Sequence, residues 1–70
     1  MSAETAHVIA EKTRYTANLV AQGQFSLATA QLVELARADD ALYQAVLKNL
    51  EDYVFKGDLD DLIATVDMVK

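Results

Sequence analysis

The amino-acid sequence predicts an all-α protein of four short helices, and three observations carry that prediction. There is no proline and there are only two glycines, Gly23 and Gly57, so little in the chain interrupts a helix. Alanine, leucine, glutamine, lysine and glutamate dominate the composition and favour helix locally. Apolar residues recur three and four apart, whereas the alternating patterns of strands flanked by turn residues are missing.

The first helix is expected from about Ala3 to Gln22, with Ser2 as its N-cap, because a serine hydroxyl can accept from a free amide of the first turn. Its stripe is Ala6, Ile9, Thr13, Thr16 and Val20, with Val8, Tyr15 and Leu19 alongside. Alanine and threonine give that stripe little bulk, so a partner helix can approach closely. Gly23 then reads as a helix stop. The second helix begins at Ser26, taken as a cap, and ends near Ala38. Phe25, just before it, is placed to staple against Ala30. Its buried stripe is Ala28, Leu32 and Leu35, with Leu27 and Val33 off that line.

Asp39 or Asp40 caps the third helix, where a carboxylate also suits the positive end of the helix dipole. The core stripe there is Leu42, Val46, Leu50 and Tyr53 or Val54. Gly57 reads as its stop. The fourth helix opens at Asp58, with Asp61 in its first turn, and sends Leu59, Leu62, Ile63, Val66 and Val69 to one side. A helix of ~13 residues barely forms in isolation, so this one must dock on something.

Seventy residues make one domain at most, residues 1–70, expected as two antiparallel helical hairpins over about 3–38 and 39–70. A chain this short hides only ~60% of the surface its unfolded form exposes. Disulfides, a metal or self-association are the usual supports at this size. The chain has no cysteine and a single histidine, so self-association is the support expected, as a homodimer.

The net charge of −5 is unevenly placed. Residues 1–38 balance three acids against three bases, while residues 39–70 carry eight acids and three bases. Phosphate backbones repel such a surface, which argues against direct nucleic-acid binding. No stretch approaches the roughly 18 apolar residues of a membrane span. Met1-Ser2-Ala3-Glu4-Thr5 has neither the basic start nor the hydrophobic run of a secretory signal, and the expected location is the cytoplasm.

The chemistry-bearing residues form no catalytic or metal-binding constellation. His7 and Glu11 are four apart and read as an exposed helix-face pair; two ligands do not make a site. Asp58, Asp60 and Asp61 lack the glycine and the terminal glutamate of a calcium loop, and instead suit a helix start. His7 has no nucleophile or orienting motif, and Ser2 and Ser26 read as caps. The chain is therefore not expected to be an enzyme, and no cofactor is expected.

The two glycines are 34 residues apart. Laying residues 6–36 over 40–70 pairs Val8 with Leu42, Val20 with Val54, Phe25 with Leu59, Ala28 with Leu62, Leu32 with Val66 and Leu35 with Val69. The run Gly23-Gln24-Phe25-Ser26-Leu27-Ala28, echoed at Gly57 and Leu59, resembles the inter-helix turn of tetratricopeptide repeats, whose period is 34 residues. The chain departs from that family at Leu50, where a small residue is usual, and at Asp40, where a closing proline is usual. The resemblance implies protein or peptide binding in a helical groove. The residues themselves favour a plain antiparallel helical bundle.

What the helical stripes leave over points the same way. Leu27, Val33, Leu47 and Phe55, with Met68, fall beside the main stripes, and a thin core cannot bury every one. An apolar patch left on a soluble protein marks a docking surface. Leu27, Val33, Leu47 and Phe55 are the candidate partner-binding residues of an adaptor, small chaperone or inhibitor that takes a helix or peptide, with acidity selecting a basic partner. The alternative is an acidic decoy, of the kind a phage or plasmid encodes, that blocks a nucleic-acid-binding host protein.

Overall fold

The computed structural model describes residues 2–70 as four helices: α1 (Ala3–Ala21), α2 (Phe25–Ala38), α3 (Asp40–Leu50) and α4 (Lys56–Val69). The expected all-α class and the helix count both hold. Among the described residues no helix is long and apolar enough to cross a membrane.

Local chemistry explains both ends of α1, the end of α2 and the start of α3. The Ser2 hydroxyl accepts from the Thr5 amide at 3.1 Å, closing the first turn of α1. At the other end Gly23 takes a left-handed φ of 76°. Its N–H donates to the Val20 carbonyl at 3.0 Å and the Gln24 N–H to the Leu19 carbonyl at 2.8 Å. These paired bonds make a Schellman motif, satisfying two carbonyls that the helix itself leaves open. Asp39 alone separates α2 from α3. Its N–H donates to the Leu35 carbonyl at 2.9 Å, and its Oδ1 accepts from the Leu42 amide at 3.1 Å. One residue thus ends one helix and caps the next.

Two boundaries differ from expectation. Ser26 is not a cap: α2 opens one residue earlier, at Phe25, with Gln24 in the cap position and no side-chain cap bond. Gly57 does not stop α3, which ends seven residues earlier, at Leu50. The chain then turns through residues 51–54 on tight bonds, among them Asp52 N–H to the Asn49 carbonyl at 3.1 Å and Tyr53 N–H to the Leu50 carbonyl at 3.0 Å. Phe55 is extended, and α4 starts at Lys56, which puts Gly57 inside its first turn. Neither glycine nor proline marks this reversal, so its position is set by where α4 must land rather than by a local signal.

Helix α2 is central. It packs against α1, α3 and α4, while α1 also packs against α3, and α4 is held mainly by α2. The core comprises Ile9, Leu19 and Val20 of α1, Ala28, Leu32, Val33 and Leu35 of α2, Tyr43, Val46 and Leu50 of α3, and Leu59, Leu62 and Val66 of α4. Val46 and Leu50, with Val54 partly buried beyond them, keep the expected stripe, and only its start moves by one residue, from Leu42 to Tyr43. Tyr43 is fully buried and Leu42 only partly, while Tyr53 stands in solvent. Ala6 and Val69, both assigned to buried stripes, are exposed. The far end of α4 is tied down by polar contacts: Arg37 Nη2 donates to the Val69 carbonyl at 3.1 Å, and Lys70 Nζ stands 5.2 Å from the Tyr43 ring centre.

Candidate functional site

The four candidate partner-binding residues do not share one environment. Val33 is only 7% exposed and belongs to the core, because α2 is covered on three sides and a residue off its main stripe still meets a neighbouring helix. Leu47 is half-buried against the same core. Leu27 and Phe55 stand free, at 55% and 83% exposure. Of the four, then, Val33 is withdrawn from the surface, Leu47 offers an edge, and Leu27 and Phe55 are available to a partner.

Phe55 has company that the sequence reading did not assign to it. The last turns of α1 and the α3–α4 connection form a groove of about 490 Å³ whose walls include Ala17, Ala21, Asp52, Tyr53, Phe55 and Asp58. Tyr53 is 62% exposed, so both aromatic rings stand at the rim rather than in the core. Ala17 and Ala21, one helical turn apart, and the largely buried Val20 make the α1 side small and apolar. The groove's lining carries two carboxylates and no basic side chain. No family model matches the chain, and no curated protein or solved structure is significantly similar to it.

A sequence signal for this rim existed. Tyr53 and Phe55 are two residues apart, and such a pair cannot face the same side of a helix. Phe55 also occupies the N-cap position of α4, where Ser, Thr, Asp or Asn would supply a capping oxygen and phenylalanine supplies none. A cap of that kind contributes about 1 kcal/mol, so local helix stability does not account for this side chain.

Elsewhere the polar residues are structural. His7 Nε2 and Glu11 Oε1 are 3.0 Å apart on an exposed helix face. Asp58 lies in the first turn of α4, where its charge meets the helix dipole, while Asp60 and Asp61 follow in the next residues of the same helix. Among the described residues no three His, Asp or Glu side chains gather as a metal cluster. Two buried hydroxyls, Thr16 Oγ1 and Tyr43 Oη, have no hydrogen-bond partner among the described residues. Burial pushes the Tyr43 phenol above its ordinary value, and the nearby Asp67 and Asp40 carboxylates push it further the same way.

Proposed function

We propose that this chain is a small acidic interaction module that binds a helix or peptide of a partner protein, as an adaptor, small chaperone or inhibitor. One observation carries the reading. The core closes without Phe55, Tyr53, Leu27 and Met68, which remain 83%, 62%, 55% and 86% exposed on a 7.7 kDa chain. Single apolar residues on a surface are ordinary, but two aromatic rings at the rim of one groove are a patch that gains by being covered.

The tetratricopeptide-like part of the reading draws little support from the packing. The first helices touch each other, α1 on α3, as do the second helices, α2 on α4, but α3 and α4 make little direct contact, so the second hairpin does not close on itself as the first does. The two turns are also unlike, since Gly23 is left-handed and Gly57 is helical. The acidic-decoy alternative draws less support, because the carboxylates are divided among separate grooves. Glu4 and Asp39 lie between α1 and α3, Asp52 and Asp58 by the α3–α4 connection, and Glu51 and Asp60 on another flank of α4.

Light scattering over a dilution series, with helicity followed by circular dichroism, tests the module and its expected homodimer. A mass above 7.7 kDa that falls on dilution, and falls sooner in Leu27→Ala, places the α2 surface in self-association. A monomer that also shows no affinity for peptides would overturn the interaction reading as a whole.

A further inference from the structure

We infer that the groove between the end of α1 and the α3–α4 connection receives a short cationic amphipathic helix of a partner protein, an aliphatic side chain seated between Tyr53 and Phe55 and Lys or Arg residues meeting Asp52 and Asp58. This rests on the interaction-module reading and names the partner chemistry of one face. Three features fix the occupant. The rim is apolar and aromatic, with ring faces able to cover an aliphatic anchor and edges that cost little entropy to order. The α1 wall, Ala17 and Ala21 with the sunken Val20, is small and apolar enough for another backbone to lie close, as helices with small residues at a contact do. The only charges on the lining are negative, and Asp58 is half-buried, so its field toward the groove is less screened than that of a fully exposed group.

The same charges disfavour two other occupants. A second copy of this chain brings a net −5 of its own toward two carboxylates. A nucleic acid brings phosphates to the same place. An acidic or neutral peptide could use the aromatic rim but would leave Asp52 and Asp58 facing its backbone without a counter-charge. A cationic helix satisfies both kinds of surface at once, and its Lys or Arg stems can lie along the rings while the charged ends reach the carboxylates.

The probe is a library of random 16-residue peptides displayed on phage, selected on the immobilised full chain, with the enriched peptides then synthesised for titration. Enriched sequences are expected to combine Leu, Ile, Met or Phe with Lys or Arg three or four positions away. Phe55→Ala should weaken their binding about tenfold or more, as removal of an aromatic anchor does. The double variant Asp52→Asn/Asp58→Asn should weaken it several-fold and flatten its salt dependence, while Glu51→Gln/Asp60→Asn, the same charge change in a different groove, should leave it unchanged. Phe55 is exposed, so its variant keeps the fold, and unchanged circular dichroism checks this for all three.

Peptides without basic residues, or binding indifferent to Phe55 and to the Asp52/Asp58 pair, would overturn this assignment and leave the interaction module standing on another face. Dissociation of a homodimer by Phe55→Ala would give the groove to a second copy and overturn it too. Failure to enrich any peptide would overturn the assignment, and in a chain that is also monomeric it would remove the reading beneath it.

Discussion

Thr13 and Thr16 stand three residues apart on α1, both buried, and differ in one hydrogen bond. Thr13 Oγ1 donates to the Ile9 carbonyl at 2.6 Å, whereas Thr16 Oγ1 meets no acceptor among the described residues. A buried hydroxyl left unpaired costs about 1–3 kcal/mol. Thr16→Val, which keeps the branched shape, is therefore expected to raise stability by about 1 kcal/mol in urea unfolding, and Thr13→Val to gain little or nothing. Tyr43 presents the same problem in a titratable group. Its phenol is held above its ordinary 10.0 by burial first and then by Asp67 and Asp40. The unfolded chain thus releases this proton before the folded one does, and stability falls as pH rises above about 10, the unfolded value. Tyr43→Phe is expected to remove that alkaline loss and the unpaired hydroxyl together. An alkaline titration followed by circular dichroism reads both, and identical curves for the two proteins would exclude Tyr43 as the cause.

At the scale of the element, the two glycines have opposite duties although the sequence presents them alike. Gly23 is left-handed, and any side chain there is strained even though the space around it is open. Gly57 is an ordinary helical residue with nothing within 4 Å of where a Cβ would stand. Gly23→Ala is expected to lower stability by about 1 kcal/mol, because a non-glycine residue resists that conformation. Gly57→Ala is expected to raise stability by about 0.5–1 kcal/mol, because alanine loses less backbone freedom on entering a helix. Paired thermal melts of the two variants, moving in opposite directions, would establish this division; a loss in both would put Gly57 back as a turn residue. Four helices and the caps at Ser2 and Asp39 were legible in the sequence because capping and termination are local. The end of α3 was not, because residues 51–55 contain no residue that forces a reversal.

Across the whole molecule, burial concentrates on α2, the one helix packed closely against all the others, and α4 is the least held. A domain of this size has roughly 4–10 kcal/mol of stability in total, taking about 0.05–0.15 kcal/mol per residue. Leu32 is fully buried at the centre of α2, and Leu32→Ala, costing about 2–5 kcal/mol, should remove a large part of that stability and lower the thermal midpoint by roughly 10–30 °C. Native-state hydrogen exchange should find the amides of α4 the first to open, since α4 can leave α2 while α1, α2 and α3 keep one another covered. Equal protection of all four helices would show that the molecule opens as one unit. The candidate groove belongs to this scale as well. Phe55 was visible as surplus, but its neighbours Ala17, Ala21 and Asp52 come from two segments that only the packing of α1 beside the α3–α4 connection brings together.

The sequence by itself determined what depends on near neighbours along the chain: the all-α class, the four helices, the Ser2 cap, an aspartate cap at Asp39 or Asp40, and most of the core stripe of each helix. Composition and hydrogen bonding within one turn suffice for these. The tertiary structure alone decided which off-stripe residues are hidden and which are offered to solvent. Val33 and Phe55 look equally surplus on a helical projection, yet one is sealed by a neighbouring helix and the other caps a helix in open water. Burial is a property of what lies across the contact, and a helix's own sequence does not say how many of its sides will be covered.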